Sequence, residues 1–307
     1  MSEMARKWII TGGTGLVGSH LVRELEKKGD DIVVFSRHAK ADAGHVRTVA
    51  WTPEKPGDWM KEVDGADVVV HLTGEPIAGG RWTEERLAKI RSSRTESTSL
   101  LADAIAQAEK KPSVFVSASA VGIYGMRKDD DLLDETTPPA SDMIAQLCVD
   151  WEHAADPAEN AGVRVVHPRF GVVLSPEGGA LKTMLPPFRA FVGGPIGDGK
   201  QWVSFVHLDD AVNAVLFAVE HEKLIGVFNV TAPNPVTMND LSAAIAKTID
   251  RPNVMRVPAF AAHLALGDMA DIVLTGQRAL PKKLQDLGFE FKYPEVGQAL
   301  QELLHDG

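Results

Sequence analysis

Residues 8–11, 31–36, 46–52, 66–72, 113–117 and 163–167 are short apolar runs rich in β-branched side chains, and each reads as a strand. Between them, apolar positions recur at helical spacing. Leu21, Val22 and Leu25 share one face of a predicted helix over 16–28, which Gly29 closes. A second helix is predicted from Thr83 to about residue 109, with Glu84 and Glu85 at the positive end of its dipole; a third starts near Ser141. Strands apolar throughout and alternating with helices predict a parallel sheet covered on both faces, a doubly wound α/β fold of Rossmann type. Past Phe170 the rhythm loosens into a Pro/Gly-rich stretch, 185–199, and helical spacing returns at 209–221, 238–249 and near both ends of 258–304. Two regions are therefore expected. Residues 1–170 form a nucleotide-binding domain, and 171–307 form a smaller α/β substrate-binding region interleaved with the last sheet elements.

The first strand runs directly into Gly12-Gly13-Thr14-Gly15-Leu16-Val17-Gly18 and then a helix. Gly12 permits the tight turn, Gly15 lets backbone N–H groups approach a pyrophosphate at the helix N-terminus, and Gly18 lets helix and strand pack closely. A bound dinucleotide is predicted, with Thr14, Leu16 and Val17 beside it. After the second strand, where an acid would hold a ribose 2′-hydroxyl, the chain has Ser36-Arg37-His38. A hydroxyl and a guanidinium suit a 2′-phosphate, so NADP is expected over NAD.

Composition narrows the class. The single cysteine, Cys148, excludes an internal disulfide framework and suits a reducing compartment, the cytoplasm. The start of the chain does not read as a signal peptide, and no apolar run is long enough to span a bilayer. A net charge of -10 speaks against nucleic acid and anionic membranes as partners, leaving a small-molecule substrate. No His or Cys spacing of zinc type occurs, and Asp129-Asp130-Asp131 reads as a solvated loop, so no metal is expected.

The glycine spacing, together with HLTGEPIAGGRWTEER at 71–86, VSASAVGIYG at 116–125, LPPFRAFVGGPIGDGKQW at 185–202, FVHLDDAV at 205–212 and FNVTAPNPVTMNDL at 228–241, resembles the atypical branch of the extended short-chain dehydrogenase/reductases. These are the NAD(P)-dependent epimerase/dehydratase family proteins. The tail LPKKLQDLGFEFKYP at 280–294 matches as well, so the resemblance spans nearly the whole chain. It implies that Leu72, Thr73 and Gly74 lie against the dinucleotide, with Arg94 and Lys89 on the next helix near the same edge. It puts Ser119 at the position of the catalytic hydroxyl, Ser117 one step inside, and the backbone of Gly171 to Val173 beside the nicotinamide. Lys200, Gln201, Trp202, His207 and Asp209 fall near the family's substrate site, with His207 and Asp209 in structural roles.

One part of the family pattern is missing. Its acid/base tyrosine and the lysine four residues later share a helix face, and counting back from Glu152 these positions hold Ile144 and Cys148. Tyr124, five residues after Ser119, is the best remaining proton donor. The expected function is an NADP-dependent oxidoreductase or epimerase transferring hydride to a small polar or sugar-nucleotide-like substrate. The alternative is an NADP-binding sensor with little turnover.

Overall fold

The computed structural model describes residues 5–37, 44–78 and 80–305. The predicted strands form as β1 (Lys7–Thr11), β2 (Asp31–Ser36), β3 (Val46–Ala50), β4 (Val68–His71) and β5 (Val114–Ser117), followed by the short β6 (Ser119–Ala120) and β7 (Leu132–Leu133). Next come β8 (Arg164–Phe170), β9 (Val172–Leu174), β10 (Trp202–Val203), β11 (Phe205–His207), β12 (Gly226–Val230), β13 (Val236–Thr237) and β14 (Arg278–Ala279). The main sheet runs in the order β12-β8-β5-β4-β1-β2-β3, all parallel, with β6 paired to the end of β8. The chain winds outward in opposite directions from β1 and β4. The crevice at their carboxyl ends is the topological switch point, where ligands bind in open α/β sheets.

Helices cover both faces. α1 (Leu16–Lys28) ends on Gly29 at φ 80, whose N–H donates to Glu26 and Leu25 carbonyls, and Lys27 and Lys28 lie at its negative end. α2 (Glu84–Gln107) is capped by the Thr83 hydroxyl, and α3 (Met143–His153) by the Asp142 carboxylate. α4 (Asp156–Asn160), α5 (Gly179–Arg189), α6 (Leu208–Glu220) and α7 (Met238–Thr248) follow. Then come α8 (Ala259–Leu266), α9 (Ala270–Leu274), α10 (Lys282–Asp286) and α11 (Val296–His305). One core layer joins Leu21, Leu25, Val70, Val116 and Val215 between the sheet and α1 with α6. The other joins Ile9, Val69, Leu101, Phe115 and Val165 beneath α2 and α4. This two-faced burial is why the strands read as apolar without alternation.

The sheet does not finish at residue 170: α6 and β12 return to it, after β9, α5 and β11 have built part of a second core around Leu181, Phe188, Phe205 and Leu241. The Pro/Gly-rich stretch also begins differently from its composition, because α5 runs through Pro186 and Pro187 to Arg189. Each proline removes one N–H donor there, from the last turns of the helix.

Candidate functional site

At the switch point Gly12 turns at φ 69, and a Cβ there would lie 2.8 Å from the Leu72 carbonyl. Gly18 packs closer still: its Cβ would stand 2.2 Å from the Gly12 oxygen. The turn therefore admits only glycine at both places. Gly15 caps α1 without any side-chain hydrogen bond, so the helix opens with unclaimed N–H groups. Thr14 and Gly15 are exposed at this mouth, while Leu16, Val17, Leu72 and Val173 pack against the core beneath.

Two hydroxyls nearby have no partner. Ser117 Oγ, at the end of β5, and Thr73 Oγ1, just past β4, are buried and unsatisfied among the described residues. A buried hydroxyl without a hydrogen bond costs about 1–3 kcal/mol, which a ligand would recover. The Ser117 carbonyl is taken: His167 Nδ1, held below its ordinary pKa by burial, donates to it across 3.2 Å. The close-packed glycine turn, the uncapped helix and the orphaned hydroxyls fit a dinucleotide at this edge.

At the far end of the crevice Arg37 is exposed immediately after β2, and Ser36 pairs with Ala50 in the β2–β3 register. His38 lies outside the described residues.

Past β4, Gly74 is exposed, and its missing Cβ leaves room for the Arg94 guanidinium, which would lie 3.1 Å from it. Arg94 is buried, donates to the Glu75 and Ile90 carbonyls, and stacks over the Trp151 ring; burial lowers its pKa. Five residues correspond to about 140° around a helix, so Lys89 is exposed where Arg94 is buried.

The strand ends of β6 and β8 are built differently. Ser119 Oγ donates to Glu152 Oε1 at 2.6 Å, and Arg169 grips the same carboxylate with Nε at 2.8 Å and Nη2 at 2.9 Å. Arg169 Nη1 donates to the Tyr124 hydroxyl, which donates in turn to Asn229 Oδ1 at 2.8 Å; Asn229 Nδ2 reaches the Leu280 carbonyl. Burial would raise Glu152, but Arg169 and Ser119 hold it below its ordinary value. Burial also works against the Arg169 charge, and the bonds and charge of Glu152 overcome it. Tyr124 is only 1% exposed, and burial raises its pKa. Its phenol thus faces the interior rather than the crevice.

Ile144, Cys148 and Glu152 follow each other along α3. Ile144 packs 2.9 Å from the position a Cβ on Gly122 would take and lines an apolar cavity of about 180 Å³ between α2 and α3. Burial pushes the Cys148 thiol up to about 12.

Downstream, the Gly171 N–H is spent on the Val230 carbonyl and the Val172 N–H on Ser204, and a Cβ on Gly171 would lie 2.1 Å from the Ser204 oxygen. Gly171 is thus a packing glycine whose N–H is spent within the protein. Lys200 and Gln201 line a cavity of about 310 Å³ with Lys128, Asp198, His263 and Asp271. Trp202 donates to Asp130 and lies under Arg278, while His207 binds Glu302 and accepts from the Asp209 N–H. In the acidic loop, Asp129 and Asp131 both pair with Arg127. Sequence reasoning missed the Arg169 and Asn229 links; an arginine inside an apolar strand was the available signal, since such a charge must find a partner.

The model of the NAD dependent epimerase/dehydratase family matches residues 8–231. The chain belongs to this family. A second match, to a domain of unknown function, DUF1731, covers residues 257–303. Among similar epimerase family proteins, the Arabidopsis thaliana SDR39U1 homolog, chloroplastic, is 40% identical over 301 residues, covering 96% of this chain and 86% of the relative. Staphylococcus aureus SAR0825 is 37% identical, covering 97% and 99%. The crystal structure of human epimerase family protein SDR39U1 (isoform2) with NADPH superposes with a TM-score of 0.86 at 29% identity, covering 98% of this chain and 99% of that one. The resemblance read from the motifs and the Rossmann-type fold are both borne out. No helix among the described residues is long and apolar enough to cross a membrane.

Proposed function

We propose that this epimerase-family chain binds NADP(H) in the β1–β4 crevice and acts as an oxidoreductase on a small polar substrate. The observation that carries the reading is the set of unspent polar groups at the crevice: the open N-terminus of α1 and the partnerless hydroxyls of Thr73 and Ser117. Arg37, standing where an acid would repel a 2′-phosphate, supports the phosphorylated cofactor. NADPH in the human relative's structure agrees with that choice. When bound, the nicotinamide supplies a hydride.

The chain's own residues divide the remaining work. The Ser117 hydroxyl is free to donate to a cofactor or substrate oxygen, whereas the Ser119 proton is committed to Glu152 and the Tyr124 proton to Asn229. We therefore assign Ser119 and Tyr124 to positioning: they fix Glu152 and Arg169 behind the strand ends. The cavity beside Lys200 and Gln201, at about 310 Å³, is at the lower end of small-molecule sites and favours a small substrate over a sugar nucleotide. The domain division at residue 170 follows the same logic, with 171–307 supplying that cavity while α6 and β12 complete the sheet. A single buried cysteine fits a reducing compartment, proposed as the cytoplasm.

A second reading, an NADP-binding sensor with little turnover, is favoured by one observation: Ile144 has no titratable proton at the family's tyrosine position, and the buried Cys148 thiol at the lysine position cannot replace an ammonium that holds a ribose. Binding of NADPH and NADH to the parent and to Arg37→Asp, followed by single-turnover oxidation of bound NADPH against small carbonyl compounds, separates these. Arg37→Asp is expected to weaken NADPH about tenfold or more while leaving NADH within about twofold, the scale of one charge-assisted hydrogen bond. Equal losses for the two cofactors would remove the 2′-phosphate reading. NADPH that binds but is never oxidised would leave the sensor.

A further inference from the structure

The cofactor reading makes no use of the cavity of about 180 Å³ between α2 and α3. Three apolar pairs wall it. Leu87 and Ile90 lie one turn apart on α2, Ile144 and Leu147 one turn apart on α3, and Ile77 and Trp82 close it from the loop after β4. Met143, 47% exposed, stands at its mouth with Ala88, so the way in passes a flexible side chain.

The polar side-chain atoms of these walls are already engaged. Trp82 Nε1 donates to the Ile77 carbonyl at 3.3 Å, and the Arg91 guanidinium pairs with Asp150. Arg86 ties the loop to α2 by donating to the Pro76 carbonyl at 2.6 Å, so the walls are braced without an occupant. A water molecule held inside needs about two to four polar partners, which apolar walls do not offer. Cavities of that kind stay dry and take apolar guests; one of about 150 Å³ holds benzene.

We propose that this cavity is a binding site for a small uncharged apolar molecule, an aromatic ring or branched alkane of about six to eight carbon atoms. It is separate from the dinucleotide crevice. Ile144 reaches from the cavity to the turn after β6, where its Cγ2 is 2.9 Å from the position a Gly122 Cβ would take, and so forms one partition. Arg94 forms the other: Nη1 donates to the Ile90 carbonyl at 3.0 Å, and the guanidinium lies against Gly74. The guest therefore sits behind the residues that edge the crevice without sharing the space of a cofactor.

Titration of the full chain with toluene, read by NMR on labelled isoleucine and leucine methyl groups, tests this. The methyls of Ile77, Ile90, Ile144 and Leu147 are expected to shift together and saturate with a Kd on the order of a millimolar or tighter. Benzoate, a similar ring carrying a charge, should bind at least about tenfold more weakly. Leu87→Asp sets a carboxylate in the wall one turn from the α2 N-terminus, where the helix dipole tolerates it, and should weaken toluene at least about tenfold with circular dichroism unchanged. Ile77→Asp does the same from the loop, outside any helix. Saturating NADPH should leave the toluene Kd within about twofold, a difference below the scale of direct competition. No saturable shift in the parent, benzoate binding as tightly as toluene, binding that survives both aspartates, or toluene displaced by NADPH would each overturn the proposal. NADPH that fails to bind while toluene still does would overturn the cofactor reading and leave the cavity site standing.

Discussion

The two halves of the strand-end crevice handle their polar groups in opposite ways. Around β1 and β4 the donors stand open: an uncapped helix, the Thr73 and Ser117 hydroxyls, and an exposed Arg37. Around β6 and β8 every polar group is consumed by another, in the chain Ser119, Glu152, Arg169, Tyr124 and Asn229. Open groups in a closed protein mark where a ligand completes the structure; a self-satisfied network marks where the protein completes itself. Ligand binding and scaffold stability are thus divided between neighbouring strand ends, and substitutions on the two sides should fail in different ways.

The largest expected effect lies in the self-satisfied half. Arg169→Leu leaves the Glu152 carboxylate buried without its partner and should cost about 3–5 kcal/mol of stability in denaturant melts. Replacing both residues by leucine should recover much of that loss, because no charge then remains buried. A single-mutant loss below about 1 kcal/mol would show that water reaches Glu152 and that the network is not closed.

The missing tyrosine and lysine have a physical reason in the same place. Cys148 feels the Glu152 carboxylate and, after it, the positive charges of Arg94 and Arg169, so a lysine there would be a third cation beside a single carboxylate that Arg169 already holds. Cys148→Lys is expected to destabilise by about 2–3 kcal/mol more than Cys148→Val, by thermal or denaturant melts, with the amine pKa driven down by burial and the two arginines and only partly held up by Glu152. A Cys148→Lys protein as stable as Cys148→Val would mean that the position has room for the family's lysine after all. The helix face toward Gly122 is apolar at Ile144.

The same contrast explains what could be read from the sequence. The glycine turn, α1 and the parallel strands are encoded locally, in Gly12, Gly18, Leu21 and Leu25 and in runs such as Val68–His71, so pattern alone located them. Glu152 and Arg169 are 17 residues apart on α3 and β8, and Tyr124 and Asn229 are 105 apart, a pair that meets only once β12 has returned to the sheet. No local spacing announces such contacts. Tyr124 consequently reads in sequence as an available phenol above the strands, whereas its hydroxyl is held inward by Asn229 and Arg169, with Ala279 of β14 packed in the same cluster. The prolines of α5 mislead for a smaller reason: helix ends shift by a residue or two without changing the apolar pattern.

The sharpest comparison sets the two hydroxyls against each other. Ser117→Ala removes an unsatisfied buried group, so stability should hold or rise slightly, while NADPH affinity falls about fivefold if the hydroxyl is kept for the cofactor. Tyr124→Phe removes a hydroxyl bonded on both sides, so stability should fall by about 1 kcal/mol with NADPH affinity unchanged. Paired melts and NADPH titrations on these two variants read both quantities. If Tyr124→Phe instead abolished oxidation of bound NADPH without loss of stability, the phenol would be a proton donor that turns outward during reaction, and the division between an open and a self-satisfied half would fail at that residue. If Ser117→Ala lost stability but kept its affinity, the orphaned hydroxyl would be satisfied by the protein's own solvent, and the crevice would owe its ligand to the glycine turn and Arg37 alone.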